Sequence, residues 1–261
     1  MPPLPVLLAT DAGSGPAVVF LHGFPHDRAL WRHQVAALCD SHRCIAPDLP
    51  GFGSSAPSSE PGVDAYADAV IALLDHLGVA RAVVAGLSMG GYVAFAIWRR
   101  HPERVRALIL CDTKAGADTD DVRAKRREMI ALAERDGAAA LAAAQGEGML
   151  GKSTRASQPA VVGEVRAMME RQPVVGITGA LTALMNRPDS TATLAEITVP
   201  VLILVGDEDT LTPPREAVAM HRAIRTSTLV EIAHAGHATA LEQPAAVNAA
   251  LRTFLDTLPA T

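Results

Sequence analysis

Apolar residues in this chain gather in short, nearly unbroken runs. Longer stretches between them repeat apolar positions every three or four residues. AVVFLH (17–22), RCIAPD (43–48), RAVVAG (81–86), RALILCD (106–112) and VPVLILVG (199–206) are rich in aliphatic and β-branched side chains. Runs of this length and evenness predict strands buried on both faces. Weaker runs at 6–9 and 228–233 predict an edge strand and a further strand. Helical spacing over 63–77, which stops at Gly78, and over 89–100, 214–225 and 244–255 predicts helices between the strands. Strands and helices that alternate in this way imply a mostly parallel sheet with helices on both faces, an α/β fold.

The rhythm breaks between residues 113 and 193. Strand signals vanish there, and helical stretches rich in Ala, Met, Arg and Glu follow one another, interrupted at Gly137, Gly151, Pro159 and Pro173. The expected organisation is an α/β core made of 1–112 and 194–261, with a helical cap at 113–193 inserted between them. The charge run RAKRREMIALAERD, starting at Arg123, mixes signs at helical spacing and reads as a solvated helix face.

One seam in the pattern carries chemistry. In VVAGLSMGGYVAF, Ser88 falls where a buried strand turns into a helix, inside the pentapeptide Gly86-Leu87-Ser88-Met89-Gly90. A nucleophilic serine must stand clear of a sheet on a tight turn, and small flanking residues let strand and helix approach. The Met89 N–H would then lie at a helix N-terminus, aimed at a developing oxyanion.

A serine needs a base and an orienting acid to act at neutral pH. Downstream of Ser88, VLILVGDEDTLTPP places Asp207, Glu208 and Asp209 just past a strand, and LVEIAHAGHATALEQP places His234 and His237 past the next. Asp209 is the expected acid and His237 the expected base. Asp112 remains the rival acid, while His234 reads as a solvated loop residue. Asp207 reads as a turn former. His22-Gly23-Phe24 follows the strand at 17–22, so the Phe24 N–H would be the second oxyanion donor. His22 reads as a structural hydrogen-bonder and Asp48 as a brace for neighbouring loops.

Composition narrows the picture further. The 261 residues are 49% hydrophobic and 20% charged, with a net charge of −5 and only 3% aromatics. That is ordinary globular composition, with no basic patch for nucleic acid. Three cysteines, Cys39, Cys44 and Cys111, are too few and too irregular for a disulfide framework or a metal site and read as reduced thiols. The start, MPPLPVLLATDAGSG, has no signal-peptide pattern, and no apolar run is long enough to span a bilayer, so a cytoplasmic location is expected.

Taken together in order, HGFPHDRALW, APDLPGFGSS, AGLSMGGYVAF and VGDEDTLTPP with AGHATALEQP closely resemble the α/β-hydrolase superfamily. The likeness covers nearly the whole chain. Within it the sequence is similar to the branch of 3-oxoadipate enol-lactonases, small carboxylesterases and cofactor-free haloperoxidases. The phrase LILCDTKAGADT and the helical cap after the sixth core strand share that resemblance. It implies Ser88 as nucleophile, Asp209 as acid, His237 as base, and Phe24 and Met89 as oxyanion donors. No metal or organic cofactor is implied. Ser88 replaces the aspartate that haloalkane dehalogenases and epoxide hydrolases of this fold carry at the elbow, which argues against those reactions.

The expected activity is hydrolysis of a carboxylic ester or lactone of a small, largely apolar substrate through an acyl-enzyme. Perhydrolase and C–C bond hydrolase chemistry with the same triad, and a non-catalytic ligand-binding role, stand as alternatives. The expected partner is that small-molecule substrate, with neither nucleic acid nor membrane, and the oligomeric state is left open, a homo-oligomer included. A dicarboxylate-like substrate would want a basic residue in the cap. Lys152, Arg155 and Arg187 are available, but read as solvated surface. Met149, Met168, Met169 and Met185 read as packing of the cap on the core.

Overall fold

The computed structural model describes residues 7–259. Its elements run in the order β1 (Ala9–Ala12), β2 (Ala17–Leu21), α1 (Arg32–Leu38), β3 (Arg43–Pro47), α2 (Val63–His76), β4 (Ala82–Leu87), α3 (Met89–Arg100) and β5 (Val105–Cys111). The helices α4 (Asp120–Gln145), α5 (Lys152–Ser157), α6 (Pro159–Glu170) and α7 (Val174–Met185) follow without a strand among them. The chain closes with β6 (Val201–Gly206), α8 (Pro214–Ala223), β7 (Ser227–Ile232), α9 (Thr239–Glu242) and α10 (Pro244–Asp256).

Seven strands form one sheet in the order β1-β3-β2-β4-β5-β6-β7, and only β1 runs antiparallel to its neighbour. The expected edge strand is shifted along the chain. It lies at Ala9–Ala12 and shares only Ala9 with the expected run, while Val6 falls outside the described residues. Ala9–Ala12 pairs with Pro47–Cys44. Backbone pairing with β3, not side-chain pattern, selects this register.

The central strands are apolar throughout because helices cover both faces. Val19, Leu21 and Val84 point to the side of α2, α3 and α8, whereas Val18, Phe20, Val83 and Ala85 point to that of α1 and α10. All these strand side chains are buried, each contributing about 1.5–3 kcal/mol if it is as large as Val or Phe. The chain crosses from β3 back over β2 to β4, so the strand order reverses between β2 and β4. Open α/β sheets put their sites at such a switch, beyond the carboxyl ends of the strands.

The helical block follows β5, the fifth of the described strands, and its breaks fall at the expected residues. Gly137 kinks α4 with φ 82°, Gly151 precedes α5, Pro159 opens α6 and Pro173 precedes α7. The block is fastened to the core by backbone contacts only glycine allows. A Cβ on Gly176 of α7 would lie 1.9 Å from the Gly51 carbonyl oxygen, and one on Gly236 would lie 2.2 Å from the Gly151 nitrogen. No helix among the described residues is long and apolar enough to cross a membrane.

Candidate active site

Ser88 joins the end of β4 to the start of α3 with φ 54° and ψ −111°, a conformation costly for a residue with a side chain. Its surroundings leave no alternative. A Cβ on Gly86 would stand 2.2 Å from the Gly90 carbonyl oxygen, and one on Gly90 would stand 2.2 Å from that of Leu21. The strained turn is pinned by its own backbone. The Ser88 N–H donates to Cys111 (2.9 Å), and its carbonyl accepts from Gly91 N–H and Thr113 Oγ1, both at 2.9 Å. The side chain is thereby held out beyond the sheet edge.

The residues expected to meet at this point do meet. Ser88 Oγ lies 2.8 Å from His237 Nε2, and His237 Nδ1 lies 2.8 Å from Asp209 Oδ2. The loops after β4, β6 and β7 thus converge from three strand ends. Asp209 Oδ1 accepts from the N–H groups of Leu211 (2.8 Å) and Thr212 (3.0 Å), and Oδ2 accepts from Thr212 Oγ1 at 2.7 Å. Burial raises the Asp209 pKa, but the His237 charge and these donors outweigh it and hold the carboxyl below the usual range. Burial likewise lowers His237, yet attraction to Asp209 wins and its pKa is raised. A carboxylate held ionised in this way orients a histidine and stabilises its cation, and the histidine can then deprotonate a serine.

Asp112, the rival acid, makes neither a hydrogen bond nor an ion pair with His237. It accepts from Gly206 N–H (3.0 Å) and from Thr239 Oγ1, so it ties the ends of β5 and β6 to the histidine loop. Burial first, then the Asp209 charge, push its pKa well up. His234 is exposed at the far end of the same loop. Asp207 accepts from Ala235 N–H at 3.3 Å and shapes the turn.

The Phe24 loop packs on the elbow. A Cβ on Gly23 would sit 3.3 Å from the Leu87 carbonyl oxygen and 3.4 Å from Ser88 Cβ. Neither Phe24 nor Met89 spends its N–H on a protein acceptor among the described residues. Free N–H groups on either side of a nucleophile are what an oxyanion requires. His22 is a brace: Nε2 accepts from Leu49 N–H and Nδ1 faces the Gly23 carbonyl, both at 2.9 Å. Burial lowers its pKa, consistent with a neutral ring. Asp48 accepts from Arg28 and Ser54, as a loop brace should.

Two polar residues here escaped the sequence. Thr212 bonds Asp209 and stands 3.2 Å from His237 Nδ1. Glu242, buried in α9, accepts from the N–H groups of Gly151 (2.8 Å), Gly236 (2.9 Å) and Ala238 (3.0 Å) and clamps the histidine loop to the helical block. The His237 N–H itself donates to Met149 at 3.0 Å. The signal for Glu242 was an acid inside the apolar stretch HATALEQP, where a carboxylate needs partners.

A cavity of about 760 Å³ opens over Ser88 and His237. Its wall includes Tyr92, Met129, Leu132 and Met149, and also Lys114 and Arg126. The block's charged helix is therefore not only a solvated face, because Lys125, Arg126, Met129 and Leu132 of α4 line the cavity. Arg187 is not surface either. It is buried, paired with Asp118 at 2.6 Å, and stacked over the Tyr92 ring at 4.2 Å. Lys152 and Arg155 are exposed. Met168 and Met169 pack in the core, as expected, while Met149 reaches the cavity.

The chain is 39% identical to a thermophilic esterase from Thermogutta terrifontis, solved with malate bound, with a TM-score of 0.94 over 97% of this chain and 93% of that one. It is 30% identical to pimeloyl-[acyl-carrier protein] methyl ester esterase of Neisseria meningitidis over 92% of this chain and 76% of the relative. It is 27% identical to 3-oxoadipate enol-lactonase 2 of Acinetobacter baylyi over 92% and 88%. Residues 16–244 match the family model for the alpha/beta hydrolase fold. A serine turn at the switch point of a mostly parallel sheet, met by acid and histidine from later strand ends, is what that family match covers, and this chain belongs to the alpha/beta hydrolases.

Proposed function

We propose that the protein is a serine hydrolase that cleaves carboxylic ester or lactone bonds of small substrates with a mainly aliphatic body. The observation that carries this reading is the unbroken relay Ser88 Oγ, His237, Asp209, with both links at 2.8 Å. The esterase and enol-lactonase relatives support the same bond class.

In the proposed reaction His237 Nε2 takes the Ser88 proton as Oγ attacks the carbonyl carbon. Asp209 stabilises the resulting imidazolium. The N–H groups of Phe24 and Met89 hold the tetrahedral oxyanion, an interaction whose loss typically costs about 100–1,000-fold in turnover. Collapse of the intermediate passes the His237 proton to the leaving alkoxide and leaves an acyl group on Ser88. Water then attacks the acyl carbon as His237 takes its proton, and collapse of the second intermediate releases the acid while His237 returns that proton to Ser88 Oγ. Residues 113–193 serve as the cap that encloses the substrate. Its wall residues Met129, Leu132 and Met149 suit an aliphatic chain.

The test is hydrolysis of p-nitrophenyl esters from acetate to octanoate by wild type and Ser88→Ala. Wild-type turnover that falls about 10⁴-fold or more in the variant is expected. Turnover that survives the substitution would overturn the serine mechanism.

A further inference from the structure

We propose that Lys114, on the loop leaving β5, binds a carboxylate of the substrate, so that the esters or lactones cleaved here carry a negative charge remote from the scissile bond. This deepens the hydrolase reading above and rests on it.

The position is the first reason. Lys114 lines the same cavity as Ser88 and His237. The residue before it, Thr113, donates its hydroxyl to the Ser88 carbonyl oxygen at 2.9 Å, so the lysine's backbone is fixed relative to the nucleophile. The second reason is what Lys114 lacks. Among the described residues its ammonium makes neither a hydrogen bond nor a salt bridge, although the side chain is half-buried. The acid close to it, Asp118, is already taken by Arg126 and by Arg187. Glu216 is close enough to attract the ammonium, but it makes no salt bridge with it. Glu128 and Lys125 also reach the cavity, but both side chains are exposed and solvated.

A half-buried ammonium with neither a hydrogen bond nor a salt bridge is costly, and the attraction of Asp118 and Glu216 offsets only part of that cost. Burial, followed by repulsion from Arg187, lowers its pKa below the ordinary lysine range. An anion entering the cavity would restore what burial removes. The charge balance favours an anion. Asp118 alone faces both Arg126 and Arg187, so positive charge stays in excess beside Lys114, and a substrate carboxylate would meet it with a charge-assisted contact. Met129 and Leu132 supply an apolar wall in the same cavity for an aliphatic body. None of the three cations considered from sequence fills this role: Lys152 and Arg155 are exposed, and Arg187 is spent on Asp118.

The experiment compares a matched pair of substrates, p-nitrophenyl hexanoate and the mono-p-nitrophenyl ester of adipic acid, with wild type, Lys114→Met and Lys114→Arg. The wild-type kcat/KM is expected to favour the anionic ester by about tenfold or more, the usual worth of a charge-assisted contact. Lys114→Met should erase that ratio and Lys114→Arg should keep most of it. A wild type that prefers the neutral ester, or a preference unchanged in Lys114→Met, overturns the assignment while leaving the esterase reading intact. Binding gives a readout that needs no turnover. Glutarate titrated into Ser88→Ala protein should bind at least about tenfold more tightly than to protein that also carries Lys114→Met. Equal affinities overturn the assignment. If neither ester shows Ser88-dependent turnover while glutarate binding still depends on Lys114, the hydrolase reading falls and the anion site stands.

Discussion

The carboxyl edge of the sheet and the helical block facing it across the cavity are built on opposite terms. At the sheet edge nearly every position is over-determined. Gly86 and Gly90 leave no room for a Cβ, Ser88 is pinned through both backbone groups, and Asp209 is held by two backbone N–H groups and a hydroxyl. The block presents a kinked α4 with exposed charges along one side and a mixed wall of Met, Leu, Lys and Arg along the other. Rigid backbone suits bond-making groups, whose geometry must hold within fractions of an ångström. Side chains on an added layer suit recognition, because they can change without disturbing the sheet.

The largest effect that could break this division is at Asp209. Asp209→Asn keeps the shape but removes the charge that orients His237, and kcat should fall about 10⁴-fold for every ester alike. Asp112→Asn keeps an acceptor for Gly206 N–H and should lower kcat less than about tenfold. Steady-state kinetics over an ester series checks both. A change in the ranking of esters by Asp209→Asn would show that the sheet edge also selects substrate.

The two regions were also unequally legible in the sequence. The elbow announced itself because strand, small-residue turn and helix follow within a dozen residues, and local sterics there dictate the conformation. The strand-end positions of Asp209 and His237 follow from the same short-range logic. The choice between Asp209 and Asp112 did not, because it depends on which carboxylate the fold aims at the histidine and which at Thr239. In the block, helix breaks at Gly137, Gly151, Pro159 and Pro173 were readable, since each is a local backbone rule. The cavity wall was not. Whether Arg187 faces solvent or Asp118, and whether Lys114 faces a loop or a cavity, is decided by helix packing through contacts such as Gly51 with Gly176, far apart in the chain.

How firmly the block is held can be read from one buried ion pair. Asp118 and Arg187 form a buried ion pair with side chains 0% and 2% exposed. Removing one member leaves a charge buried without compensation, and Asp118→Ala should cost about 3–5 kcal/mol of unfolding free energy. Replacing both, as Asp118→Leu with Arg187→Met, should recover part of that loss, since Arg126 still loses its partner. Urea unfolding midpoints of the three proteins measure it. A loss below about 1 kcal/mol in Asp118→Ala would mean that the block adapts freely, contrary to its glycine-fastened docking.

The smallest effect concerns pH and separates the two carboxylates once more. His237 must be neutral to accept the Ser88 proton, so activity rises with pH as it deprotonates. Burial lowers its pKa, but the Asp209 charge and hydrogen bond raise it more, which sets the acid limb of kcat/KM above the ordinary histidine value of about 6.5. In Asp209→Asn the charge is gone while the burial remains, so the limb should move to lower pH even as the plateau collapses. Asp112 also raises His237, but less than the charge and hydrogen bond of Asp209 do. Asp112→Asn should therefore move the limb down by less than Asp209→Asn does. A limb that moves as far down in Asp112→Asn as in Asp209→Asn would show that the histidine answers to the whole carboxyl edge of the sheet and not to one acid.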